Sequence, residues 1–161
     1  MSGDTSAPVS LSLTLPLPPS INNQYVTVGK RRVLSKSAKT FKRDVTKHLA
    51  MLRQRGTLDP VVERAFKDAL IGVYLTFYFE TPMRRDLDGG LKIALDSLAT
   101  DLGFDDRAVV DLHLVKQIDP LHPRLEVELE TIESWSFDRS YVYLGDKVET
   151  SRNHDPSDHE P

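Results

Sequence analysis

Apolar and polar positions alternate cleanly from Ser10 to Leu15, with Leu11, Leu13 and Leu15 on one side, which predicts a half-buried strand. Pro16, Pro18 and Pro19 then interrupt any ladder, and Ser20 to Leu34 reads as a loop or irregular hairpin. Ser35 or Ser37 can cap a helix that runs to about Arg55, with Ala38, Phe41, Val45, Leu49 and Leu52 on its apolar face. Gly56 is a natural stop for it. Leu70 to Glu80 is the strongest strand, with Ile71, Val73, Leu75, Phe77 and Phe79 on one face and Tyr74, Thr76 and Tyr78 on the other. Aromatic or branched residues on both faces place it centrally in a sheet. A second helix is expected from about Leu87 to Thr100, with Leu87, Leu91, Leu95 and Leu98 as its stripe. Val109 to Val115 and Leu125 to Glu130 are expected to form a hairpin across a connection containing Asp119-Pro120 and His122-Pro123.

The predicted order is β-α-β-α-β-β, a single α+β (α/β) domain with a mixed sheet and two main helices. Residues 9–131 form the expected domain and 1–8 a disordered N-terminus. Residues 132–161 form an acidic, partly disordered tail, in which Trp135, Phe137, Tyr141 and Tyr143 could dock and residues 151–161 are flexible. With 39 % hydrophobic residues among 161, one core is affordable but two are not. The absence of cysteine excludes disulfides, thiolate metal sites and a cysteine nucleophile. No apolar run is long enough for a membrane span, and no secretory signal is visible, so a cytoplasmic protein is expected.

The net charge of −3 argues against nucleic acid, but the charge is segregated. From Pro16 to Arg55 there are ten Lys/Arg and one Asp; from Thr81 to Thr131 there are six Lys/Arg and eleven Asp/Glu. A polyanion responds to the local field, so the basic segment is a candidate nucleic-acid surface. The plain alternative is a solvated basic helix beside an acidic tail.

The segment Arg84-Arg85-Asp86-Leu87-Asp88-Gly89-Gly90-Leu91-Lys92 carries the chemistry. Asp86 and Asp88 are two residues apart where the central strand gives way to a helix, and Asp88 is expected in the first helical turn, where the dipole favours a carboxylate. Lys92 and Asp96 follow on the same face. Asp101, Asp105, Asp106 and Asp111 form a second acidic group. If the chain folds back so that Asp86, Asp88 and Asp106 converge, their mutual repulsion calls for a cation. Carboxylates without cysteine or clustered histidine select Mg²⁺ or Mn²⁺. Each residue also has an ordinary reading: Asp86 as a cap, Asp88–Lys92–Asp96 as an i,i+4 ladder, Asp105-Asp106 as a turn.

At these residues the sequence resembles the RusA family of Holliday junction resolvases. The matching pieces are Leu15-Pro16-Leu17-Pro18-Pro19-Ser20 with Asn22-Asn23, the basic loop and helix, Arg84-Arg85-Asp86-Leu87-Asp88 with Lys92 and Asp96, Phe104-Asp105-Asp106 with Val109, Val110 and Asp111, Val115-Lys116, and the closing strand from Arg124. The resemblance covers about Leu11 to Glu130. It implies a homodimeric, Mg²⁺-dependent endonuclease that cuts branched DNA by paired nicks, in a bacterial or phage-infected cell. The family's three essential aspartates fall on Asp86, Asp88 and Asp106, with Asp105 as the alternative third, and its essential lysine falls on Lys92. Tyr25, Lys30, Arg31, Arg32, Lys39, Lys42, Arg43, Arg84 and Arg85 are the expected DNA contacts. The family usually has Asn after the second aspartate, where this chain has Gly89. That departure keeps open a catalytically impaired branched-DNA-binding module, and a protein-interaction domain is the third reading.

Overall fold

The strand Leu70–Phe79 organises the molecule, and its period-2 pattern is the reason. In the computed structural model, which describes residues 7–83 and 85–135, the main sheet is built from β1 (Ser10–Leu15), β4 (Leu70–Phe79), β5 (Val109–Ile118) and β6 (Arg124–Ile132). A separate hairpin is formed by β2 (Tyr25–Val28) and β3 (Arg31–Leu34). The sheet order is β1-β6-β4-β5. β4 is therefore central, parallel to β5 and antiparallel to β6. Its odd-numbered residues Ile71, Val73, Leu75, Phe77 and Phe79 are all buried, together with Leu11, Leu13 and Leu15 of β1 and Leu125, Val127 and Leu129 of β6. The other face presents Ser10, Ser12, Thr14, Tyr74, Thr76, Glu126 and Glu128, exposed or half-exposed.

β5 and β6 do not form the expected hairpin, because β4 lies between them. The turn itself forms where Asp119-Pro120 and His122-Pro123 place it. The Asp119 carboxylate accepts from the Leu121 and His122 amides and from the Arg124 guanidinium. Its connection spans two interstrand spacings, about 10 Å, rather than one. The Asp119 amide is anchored to the Phe79 carbonyl at the end of β4 (2.9 Å). Local turn signals carry no information about which strand occupies the gap.

Among the described residues, three α-helices cover the apolar face. Helix α1 (Lys36–Gln54) starts at Ser35, whose hydroxyl accepts from the Ala38 amide at 3.1 Å, and buries Ala38, Phe41, Val45 and Leu49 as expected. Helix α2 (Pro60–Asp68) adds a third to the two expected; it is short, is capped by Asp59, and buries only Phe66. Helix α3 (Leu91–Leu102) begins four residues later than predicted and ends at Gly103, whose φ of 76° closes the helix. Its core face is Ile93, Ala94, Leu98 and Leu102. Of the expected stripe, Leu87, Leu91 and Leu95 are only half-buried. α1 packs beside α3 and over β1, and α2 packs against α3 and β6. The expectations for Phe137, Tyr141, Tyr143 and residues 151–161 lie outside the described residues.

Candidate active site and nucleic-acid interface

The turn carrying Asp86 and Asp88 leaves the end of β4 and is held on several sides. The Lys116 ammonium, from the neighbouring strand β5, donates to the carbonyls of Pro82 (3.1 Å) and Arg85 (2.8 Å) and sits 5.5 Å from the centre of the Phe79 ring. The Arg85 guanidinium donates to the Pro18 carbonyl and lies 5.4 Å from the same ring. Burial lowers the Arg85 pKa, and its Nε is buried without a hydrogen-bond partner among the described residues. The buried Gln24 side chain donates to the carbonyls of Pro19 and Gly89, 3.1 Å each, tying the proline segment to the turn. Finally, Gly90 packs so closely on Pro18 that a Cβ there would lie 2.4 Å from Pro18 Cγ.

Within this frame, the Asp86 carbonyl accepts from the Gly89 amide and the Asp88 carbonyl from the Leu91 amide. Both aspartates therefore precede α3, and Asp88 is not in the first helical turn. The two glycines explain the late start: residues 87–90 form turns, and Gly90 takes the cap position with no side chain to offer. Both aspartates are exposed. Lys92 follows one residue into the helix and pairs with Asp96 at 3.2 Å, so the ordinary i,i+4 reading of that pair is realised.

The second acidic group sits elsewhere. Asp105 and Asp106 line an open cleft of about 440 Å³ with Lys42, Asp96, Thr100 and Phe104, beside the C-terminal half of α3. The Asp105 carboxylate caps the Arg107 amide and grips the Arg107 guanidinium through both oxygens (2.7–3.1 Å). This pairing holds the Asp105 carboxyl far below the usual carboxylate range. Asp88 precedes the first residue of α3 and Asp106 follows its last, and the helix is about 18 Å long at 1.5 Å per residue. Strand topology gives the same separation. The aspartate turn follows the end of β4, whereas Asp106 precedes Val109, which neighbours Ile71 at the start of β4. Among the described residues, no three carboxylate or imidazole groups gather at a point that could hold a metal ion. One chain thus keeps Asp86 and Asp88 on one turn and places Asp106 apart from them.

The basic candidates divide similarly. Tyr25, Lys30, Arg31 and Arg32 lie on the exposed β2–β3 hairpin, where the Arg32 guanidinium stacks 4.4 Å over the Tyr25 ring. Val28 pairs with Arg31, leaving a two-residue loop whose first member, Gly29, has φ 63°, as a type II′ turn requires. A cleft of about 890 Å³ runs between this hairpin, the proline segment and the start of α1, lined among others by Asn22, Asn23, Tyr25, Lys36, Thr40 and Arg85. Lys39 and Arg43 are exposed on α1 near it, whereas Lys42 turns to the Asp106 cleft. Arg84 lies outside the described residues.

Sequence reasoning did not single out Gln24, Lys116, Pro18 or Gly90 as supports of the turn. Each acts across a sequence separation of more than 30 residues, which no local pattern encodes.

Two comparisons bear on this arrangement. No curated protein matches the chain. The family description "Endodeoxyribonuclease RusA" matches residues 16–130, which span the proline segment, the hairpin, both acidic groups and the closing strand. With most of its length covered, the clamped aspartate turn included, the chain belongs to the RusA family of endodeoxyribonucleases.

Proposed function

We propose that this endodeoxyribonuclease resolves four-way DNA junctions by paired nicks, as a homodimer, in DNA recombination and repair. Asp86, Asp88 and Asp106 are assigned to hold Mg²⁺ or Mn²⁺, and Lys92 to meet the scissile phosphate. The observation that carries this reading is the exposed Asp86–Asp88 turn. Its backbone is fixed by Lys116, Arg85 and Gln24, and it opens beside a cleft bordered by the basic hairpin. Fixed carboxylates next to cations are what a metal-assisted attack on a polyanion needs.

The donor set of one chain does not fit a three-aspartate metal site, because α3 separates Asp106 from the other two. The reading therefore takes the third carboxylate from the second chain of the homodimer. Asp106 is favoured over Asp105, whose oxygens are occupied by Arg107. A divalent cation held by carboxylates supplies an activated water and charge neutralisation at a phosphodiester. This chain's own residues supply the rest: the turn positions the carboxylates, Lys92 offers a cation one residue into α3, and Tyr25, Lys30, Arg31, Arg32, Lys39, Lys42, Arg43, Arg84 and Arg85 are assigned to the DNA.

The test is a nicking assay in Mg²⁺ on a four-way junction beside linear duplex. Wild type should cut the junction and Asp88→Asn should not; equal cutting by both sinks the reading. An equimolar mixture of Asp88→Asn and Asp106→Asn chains should regain roughly a quarter of the wild-type sites, since half the random dimers carry one complete set. A silent mixture means that Asp106 does not act across the dimer.

A further inference from the structure

The cleft of about 890 Å³ beside the aspartate turn has the make-up of a small-ligand site as well as of a backbone track. Its size falls within the range of such sites, about 300–1,000 Å³. Its lining is apolar where Leu17 is half-buried and Pro18 and Phe41 are buried. The Tyr25 ring bounds it on the hairpin side, with the Arg32 guanidinium stacked over the ring. On the helix side, Lys36, Thr40 and Asp44 recur every four residues and so share one face of α1. Asp44 is the residue that phosphate binding does not explain. It is the single acidic residue between Pro16 and Arg55, against ten Lys/Arg. It is half-buried, and its carboxylate has no hydrogen bond or ion pair among the described residues. A carboxylate repels phosphate, and one that is partly desolvated gains from a donor.

We infer that this cleft receives one unpaired nucleobase of the DNA, stacked against Tyr25, and that the Asp44 carboxylate accepts from the amino group on its base-pairing edge. Asp44 is then a specificity-determining residue. The choice of DNA as the ligand rests on the nuclease reading above; the choice of a base over a phosphate rests on Asp44. Cytosine, adenine and guanine each carry an amino group, and Asp accepting from the cytosine N4 amine is a favourable pairing. Thymine and uracil carry none, and their one ring N–H lies between two carbonyl oxygens that repel a carboxylate. The exposed amides of Asn22 and Asn23 at the same cleft can both donate and accept, so they fit any base edge. Lys36 in the cleft and the exposed Lys39 and Arg43 nearby are left for the phosphates. A duplex keeps its pairing edges engaged, whereas a nucleotide already unpaired, as at a branch point, enters a pocket at least cost. Arg85 also lines the cleft and directly precedes Asp86, so the captured base belongs to a nucleotide near the phosphate that meets the aspartate turn.

Short oligodeoxycytidine and oligodeoxyuridine strands test this directly, because their bases differ only at the 4-amino or 4-carbonyl group and the adjacent ring nitrogen. Binding is measured by fluorescence anisotropy in EDTA, where no cutting complicates it. Wild type should bind the cytidine strand roughly 10-fold more tightly than the uridine strand. Asp44→Asn, which has the same shape and an unchanged circular dichroism spectrum, should bind the two alike. Tyr25→Leu should bind the cytidine strand roughly 10-fold more weakly with the same salt dependence, since a stacking contact is lost and no phosphate contact is. A wild type indifferent to the two strands, an Asp44→Asn chain that keeps the preference, or a Tyr25→Leu chain that binds like wild type each overturns the inference. The second arm maps nicks in Mg²⁺ on junctions with cytosine or uracil at the positions next to the branch. An Asp44-dependent preference in binding without any nicking leaves the base site standing and sinks the nuclease reading. Nicking without an Asp44-dependent preference in binding leaves the nuclease reading standing and sinks the base site.

Discussion

Substituting Gly90 by alanine should loosen the aspartate turn, and the structure sets the size of the effect. The added Cβ would lie 2.4 Å from Pro18 Cγ and 3.2 Å from Pro18 Cβ, with Phe77 Cε1 at 3.5 Å on the other side. Carbon atoms rest about 3.5–4.0 Å apart, so Pro18 must retreat by roughly 1 Å or more. The helix cannot give way instead, because Phe77 is buried in the core. Retreat of Pro18 also strains the bond that its carbonyl accepts from Arg85. Overpacking of this kind costs about 1–3 kcal/mol, and alanine is a poorer helix cap than glycine. A loss near 2 kcal/mol corresponds to a fall of roughly 6–10 °C in Tm for a domain of this size. Gly89 is the internal control: its added Cβ would meet nothing nearer than the Asp86 carbonyl oxygen at 3.4 Å, and its φ is not positive. Gly89→Ala should stay within about 0.5 kcal/mol of wild type. Urea unfolding followed by circular dichroism measures both. If Gly90→Ala is as stable as Gly89→Ala, the proline segment does not brace the start of α3, and the account of how the turn is held is wrong.

A Cβ at Gly89 meets only ordinary van der Waals contacts, the Asp86 carbonyl and Ser20, so Gly89→Asn, which restores the residue usual in the family, should fold with a Tm within a few degrees of wild type; a junction-nicking rate that rises with it would show that Gly89 limits the chemistry. Gln24→Leu should cost about 1 kcal/mol in urea unfolding, because it strips the half-buried carbonyls of Pro19 and Gly89 of their donor; an unchanged midpoint would remove Gln24 from the support of the turn. Lys92→Met should barely alter stability, since the Asp96 pair is exposed and such pairs contribute about 0.3–0.5 kcal/mol, yet it should abolish nicking. The Asp105 carboxyl is held below its unfolded value near 3.9. Its stabilising contribution is therefore complete above about pH 4 and disappears only as the pH falls through the lower folded value. Carboxyl titration by NMR should return Asp105 to the ordinary range in Arg107→Ala, and failure to do so would discount the pairing.

The sequence by itself determined the elements that depend on local periodicity and caps. β1, β4 and α1 are legible because Leu11, Leu13 and Leu15, the odd residues of β4, and Ala38, Phe41, Val45 and Leu49 each bury one face of a regular element, and Ser35 marks where α1 starts. The aspartate motif, and through it the family, was legible as a string of residues. Tertiary structure decided the rest. Strand order was hidden because the turn after Ile118 looks the same whether it joins neighbours or steps over β4. The core face of α3 was hidden because leucine occurs on two of its sides, and only packing selects Leu98 and Leu102 over Leu91 and Leu95. The placement of the three aspartates was hidden for the most consequential reason: a parallel β4-α3-β5 crossover returns the chain to the opposite end of the sheet, so residues 18 and 20 positions apart finish a helix length from one another. Adjacency in the motif says nothing about that distance, which follows from the direction in which the sheet sends each strand.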